Sequence, residues 1–135
     1  MEAVSQYVID TVAFARYLRD DLPRRADQVM REAESGRSHV LLPQIALAEF
    51  ICIALRGRLR GAGLRTTLRE VIHNLLASPA FSVSAMPNSG WEILPELQIS
   101  ESHCRMIAAE AIARKLPLIT NDSRLRAVPV LRVVW

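Results

Sequence analysis

Short β-favouring runs alternate along this chain with longer stretches whose apolar residues recur every three or four positions. Tyr7-Val8-Ile9 is strand-like and closes on Asp10. The spacing then predicts a helix through Ala13, Phe14 and Leu18, stopping before Leu22-Pro23, because the residue ahead of a proline is driven out of the helical region. Pro23 suits the first turn of a second helix. Ala26, Val29, Met30 and Ala33 form its apolar face, and Gly36 is a natural stop. Residues 39–42 read as a second strand, and 44–55 as a third helix burying Ile45, Ala48, Cys52 and Leu55. A basic, glycine-punctuated connection (56–63) leads to a fourth helix with Leu64, Leu68, Val71, Ile72 and Leu75 on one side.

Residues 81–84 read as a third strand, 87–90 as a turn, and 91–97 as at best a short helix interrupted by Pro95. An alanine-rich helix follows over about 102–115, then a buried strand Pro117-Leu118-Ile119-Thr120, a short helical turn (123–127) and a last strand (130–134). Strands alternating with helices indicate parallel βαβ units with helices on both faces of the sheet, so the class is α/β. At 135 residues, with no repeat and no linker, the chain reads as a single domain over 1–135.

Composition changes this picture little. Aromatics are scarce at 5%, which leaves Leu, Ile, Val and Ala to build the interior. The formal charge of +3, carried mostly by arginine, favours polyanions, although a solvated basic surface would look the same. The two cysteines, Cys52 and Cys104, follow no disulfide or metal spacing and read as reduced thiols of a cytosolic protein. No apolar run reaches membrane-spanning length, and no signal peptide is evident.

The chemistry lies in the acids. Ligands of open parallel sheets bind at the carboxyl ends of strands, near the point where strand order reverses. Asp10 ends the first strand and Asp122 stands just past Thr120. Either could equally be a plain helix N-cap. Glu49 is embedded in Ile45-Ala46-Leu47-Ala48-Glu49-Phe50-Ile51-Cys52-Ile53, where a carboxylate is costly unless paired with a cation, either a metal or a neighbouring arginine.

Taken together, Tyr-Val-Ile-Asp-Thr at 7–11, Ala48-Glu49-Phe50, and the segment from Cys104 through Leu118-Ile119-Thr120-Asn121-Asp122 resemble the PIN domain family, and within it the VapC-type toxins. The resemblance runs nearly end to end. It implies a three-layer α/β/α sandwich around a central parallel sheet. It also implies Mg²⁺- or Mn²⁺-dependent endoribonuclease chemistry on an RNA substrate, in a homodimer held inactive by an antitoxin. Asp10 matches the first metal-binding acid, Glu49 the second and Asp122 the fourth, with Thr11, Thr120 and Asn121 in support. The third acid falls four residues before Ala108-Ala109 and eighteen before Asp122, and that position is Cys104. Glu101, one turn earlier and on the same helix face, would be a substitute ligand. A thiol is a poor ligand for Mg²⁺, so a catalytically weakened PIN domain that binds RNA or a protein is the alternative reading.

His103 could join Cys104 on a softer ion such as Zn²⁺, but adjacent helical residues point in different directions. Glu110 is expected in solvent, and His39 and His73 are expected to be structural or exposed. Arg56, Arg58 and Arg60 form either a phosphate track for RNA or a solvated loop. Phe14, Leu18, Phe50, Ile53 and Trp91 are more apolar helix surface than one small core readily hides, which also points to a homodimer.

Overall fold

In a computed structural model, which describes residues 4–57 and 68–135, the β-favouring runs become five strands of one parallel sheet. They are β1 (Ser5–Ile9), β2 (Ser38–Pro43), β3 (Phe81–Ser84), β4 (Leu118–Ile119) and β5 (Val133–Val134), in the order β3-β2-β1-β4-β5. The chain steps outward from β1 to β3, then returns across β1 to lay down β4 and β5. Right-handed crossovers combined with that reversal put helices on both faces. Among the described residues seven helices flank the sheet: α1 (Thr11–Leu18), α2 (Arg24–Glu34), α3 (Gln44–Leu55), α4 (Leu68–Ala77), α5 (Asn88–Ile93), α6 (Ser102–Arg114) and α7 (Ser123–Arg126). The three-layer α/β arrangement expected from the sequence is the one observed. None of these helices is long and apolar enough to cross a membrane.

The reversal of strand order falls between β1 and β4, where Val8 pairs with Leu118 and Ile9 with Ile119. That register carries Asp10 alongside Thr120, and the Asp10 amide donates to the Ile119 carbonyl at 3.2 Å. The paired residues Val8, Ile9, Leu118 and Ile119 are fully buried and apolar, so the first polar side chains after them mark the carboxyl edge of the sheet.

Several elements differ from their sequence signals. The turn expected at 87–90 is the start of α5, because Pro87 stands at its N-cap, where a missing N–H costs nothing. Gly90 lies inside that helix and is buried against Met86, whose side chain fills the space a Cβ would need. The last strand is shortened to Val133–Val134, since Pro129 cannot donate to a ladder and sits in a turn instead.

The third helix departs furthest from its sequence pattern. Its core-facing residues are Ala46 and Phe50, four apart, at 0% and 1% exposed. Ala48, Cys52 and Leu55, expected to be buried, face outward, and Ile45 is half-buried. A helix that is apolar all round carries no phase information, so the pattern could not say which stripe meets the sheet. Phe14 and Phe50, expected on an outer surface, instead form the centre of the core. Their rings meet edge-on at 5.2 Å, and Phe14 meets Phe81 the same way at 5.9 Å. Glu110 is also buried rather than solvated, accepting a hydrogen bond from Ser84 at 2.5 Å and from Arg114 at 2.9 Å. His73 is exposed, and His39 bonds to Ser82 at 2.7 Å.

Candidate active site

Thr120 organises the carboxyl edge between β1 and β4. Its fully buried hydroxyl donates to Asp10 Oδ2 and accepts from the Asp122 amide at 3.0 Å. One small side chain therefore ties the two aspartates to each other across the switch point.

Asp10 is both a cap and more than a cap. Its Oδ1 accepts from the Ala13 amide at 2.8 Å, closing the first turn of α1. Yet the residue is only 6% exposed, and its carboxyl is pushed up to about 6. Burial is the main cause, and the nearby charges of Asp122 and Glu49 add to it against the hydrogen bonds from Thr120 and Ala13. A buried carboxylate that faces two others, with no ion pair to a basic side chain among the described residues, carries negative charge that a cation would relieve. Beside it, Thr11 Oγ1 is buried with no hydrogen-bond partner, which is uncommon for a hydroxyl in a folded interior.

Asp122 is differently placed. It caps α7 through Oδ1 and the Arg124 amide at 2.8 Å, and it holds the Arg124 guanidinium at two points, 2.7 and 3.1 Å. That pairing takes its carboxyl down to about 2. Arg124 was not singled out by the sequence. Its signal is position: a basic residue two places after an N-cap aspartate can offer both backbone and guanidinium N–H groups to the same carboxylate.

Cys104 lies where the resemblance places the third acid. Its thiol is 3.6 Å from Asp122 Oδ2 and receives Arg124 Nη2 at 3.3 Å. Burial, the Glu101 hydrogen bond and the charges of Asp122 and Glu101 push the thiol well above its ordinary range, so it stays neutral near pH 7. The position contributes no negative charge.

Glu101 does not share a helix face with Cys104, as the sequence suggested. It is the N-cap of α6, in extended backbone, and its carboxylate accepts from the amides of His103 at 3.1 Å and Cys104 at 2.6 Å. Burial opposes its ionisation, but these N–H groups and the His103 charge outweigh it and bring the carboxyl to about 2. Its Oε1 also lies 2.9 Å from His103 Nδ1. The same nitrogen is 3.0 Å from Glu49 Oε2, so this half-buried carboxylate on α3 finds a histidine rather than an arginine. His103 thus turns away from Cys104 and toward the two glutamates.

The remaining residues lie further out. Asn121 is exposed and accepts from Arg126 at 3.1 Å. Arg56 caps the end of α3, its side chain bonding to the Cys52 carbonyl at 3.1 Å, and lines a recess with Glu49 and His103. Arg58 and Arg60 lie outside the described residues. The donor set as a whole, carboxylate oxygens from four elements and one imidazole, fits a divalent cation. Among the described residues, Glu49, Glu101 and His103 bring ligand atoms within 4.8 Å of one another.

The comparisons agree with this architecture. A search of curated proteins finds no significant match. Among solved structures, VapBC2 from Rickettsia felis, crystallised bound to a DNA fragment from its promoter, superposes with a TM-score of 0.67 at 17% identity. The match covers 95% of this chain and 96% of that one. FitAcB from Neisseria gonorrhoeae gives a TM-score of 0.62 at 20% identity, covering 94% and 95%. At such identities these likenesses speak to the fold. The family model described as PIN domain matches residues 7–131, nearly the whole sequence, and the chain therefore belongs to the PIN domain family.

Proposed function

We propose that this protein is a divalent-metal-dependent endoribonuclease, the toxin of a toxin–antitoxin pair acting in the cytosol. The observation that carries the reading is Asp10: a buried carboxylate at the switch point of a parallel sheet, raised to about 6 and facing Asp122 and Glu49. Family membership supports nuclease chemistry, and the fold likeness to VapBC2 and FitAcB supports the toxin assignment.

Asp10, Glu49 and Asp122, with Glu101, would hold Mg²⁺ or Mn²⁺. The ion would supply Lewis-acid stabilisation of charge on a phosphodiester and a more acidic bound water. The chain's own residues do the positioning. Thr120 ties the Asp10 carboxylate to the Asp122 backbone amide, and α1 and α7 anchor the two carboxylates through their cap bonds. Arg56, which lines the recess beside Glu49, would receive a backbone phosphate, and Arg58 and Arg60, outside the described residues, are proposed to extend that phosphate contact. An antitoxin and a second copy of the chain are proposed partners. The exposed Leu55, Val12 and Trp91 are the apolar surface available to them, in place of the core residues Phe14 and Phe50.

Incubating the protein with a mixed RNA and Mn²⁺ tests the reading. Cleavage should occur, stop with a chelator, and disappear in Asp10→Asn. The specific observation for the alternative, a PIN domain that binds RNA or a protein without cutting, is that Cys104 is neutral and Asp122 is already neutralised by Arg124. RNA retention without cleavage would favour it.

A further inference from the structure

His103 Nδ1 stands between two carboxylate oxygens, 3.0 Å from Glu49 and 2.9 Å from Glu101. An imidazole nitrogen carries at most one proton, so a hydrogen bond serves one oxygen well and the other poorly. We propose that Glu49, Glu101 and His103 form a binding site for a nitrogen-accepting transition ion of the Zn²⁺ class, set to one side of the Asp10–Asp122 pair. This deepens the metal-dependent reading above, with which it shares Glu49 and Glu101.

Three features of the geometry support the site. First, the spacing suits a shared cation. Donor atoms about 2.1 Å from one ion lie about 3.0 Å apart in adjacent octahedral positions and about 3.4 Å apart in tetrahedral ones. The observed separations from His103 are of that size. Second, the donors are held from two packed elements: Glu49 by α3, and Glu101 and His103 by the N-cap and first turn of α6. Glu101 is pinned by two backbone amides, so one ligand is fixed before any ion arrives. Third, the opposite flank is already satisfied by a cation of the chain itself. Arg124 occupies Asp122 and the Cys104 thiol, whereas among the described residues the ion pairs of Glu49 and Glu101 are both with His103.

The imidazole decides the class of ion. Mg²⁺ prefers an all-oxygen shell and keeps its waters, whereas Zn²⁺ takes histidine and carboxylate together. The side chains are 24% to 40% exposed, which leaves open coordination positions facing solvent.

Calorimetric titration of the metal-free full chain with Zn²⁺ and, separately, Mg²⁺ tests the site. The parent should bind one Zn²⁺, and His103→Gln should weaken that binding about tenfold or more while changing Mg²⁺ affinity less than about threefold. Cys104→Ser should leave Zn²⁺ affinity unchanged. Equal Zn²⁺ binding by parent and His103→Gln, or loss in Cys104→Ser instead, overturns the proposal. Nitrogen-15 NMR of the parent's imidazoles gives a readout that needs no variant: Zn²⁺ should shift His103 and spare His39 and His73. An unmoved His103 at Zn²⁺ saturation overturns it as well. Binding through His103 with no RNA cleavage in any metal would support the site and count against the ribonuclease reading. Mg²⁺-supported cleavage without His103-dependent Zn²⁺ binding would do the reverse.

Discussion

Arg124 grips Asp122 at two points and, through the same Nη2, reaches the Cys104 thiol at 3.3 Å. A cation built into the chain therefore stands on one flank of the candidate metal site. Removing it should return the Asp122 carboxyl toward its ordinary range and free it for an external ion. We expect Arg124→Ala to raise Mn²⁺ affinity by up to about tenfold, with the gain shrinking at high salt as surface electrostatics are screened. Calorimetry at two salt concentrations checks this. Unchanged affinity would mean that Asp122 does not contribute to metal binding.

The same contact changes what Cys104→Asp should do. Taken alone, a carboxylate at 104 restores a hard oxygen ligand and should strengthen Mg²⁺ or Mn²⁺ binding and RNA cleavage. Arg124, however, already lies within reach of that side chain and would pair with the new charge. The gain from Cys104→Asp should therefore be small in the parent background and larger, about tenfold, when combined with Arg124→Ala. A double-mutant cycle on Mn²⁺ affinity reads the coupling. Strictly additive effects would show that Arg124 does not mask position 104.

These two residues also show where the sequence was legible and where it was not. The strands, their parallel arrangement and the positions of Asp10 and Asp122 followed from local signals, because apolar runs ending in an acid declare both a buried strand and its carboxyl end. Side-chain direction did not follow. Glu101 was placed on a helix face by counting turns, but a residue one position before the helix has extended backbone and points back at the helix amides. The outward stripe of α3 was invisible because Ile45, Ala48, Cys52 and Leu55 are no less apolar than the core pair Ala46 and Phe50. Arg124 was missed because pairing depends on where a short helix begins, which a four-residue element scarcely signals.

Glu110 gives a prediction about the fold alone. Its buried carboxylate joins Ser84 at the end of β3 to Arg114 on α6, and Arg114 in turn donates to the Ala85 carbonyl at 2.8 Å. Glu110→Ala would strand a buried hydroxyl and leave a half-buried guanidinium unpaired. We expect a loss of about 2–3 kcal/mol, below the range for a fully buried pair because Arg114 keeps access to water. Urea denaturation measures it, and a change below about 0.5 kcal/mol would mean that water replaces the lost contacts without cost.

The last prediction follows from the sign of the Asp10 shift. A carboxyl raised from 3.8 to about 6 holds its proton more tightly in the folded state than in the unfolded chain. Its contribution to stability is therefore fully present below the ordinary value and is lost as pH rises through about 6. With the side chain almost wholly buried, that loss is about 2–3 kcal/mol by about pH 8 in the metal-free protein. Asp10→Asn cannot ionise and keeps Oδ1 for the Ala13 amide. Its new amide must, however, donate to Thr120 where the carboxylate accepted, at a cost of about 1 kcal/mol. The variant should consequently be more stable than the parent by about 1–2 kcal/mol near pH 8, with the difference closing and then reversing toward pH 4. Saturating metal should abolish the parent's deficit, since an ion bound to the folded state stabilises it by mass action. Chelator-treated protein followed by urea denaturation across this pH range, with and without Mn²⁺, reads both effects. A variant that is equally destabilised at every pH would show that Asp10 ionises in the folded protein without penalty, and the burial and neighbouring charge that would favour a cation there would have no effect.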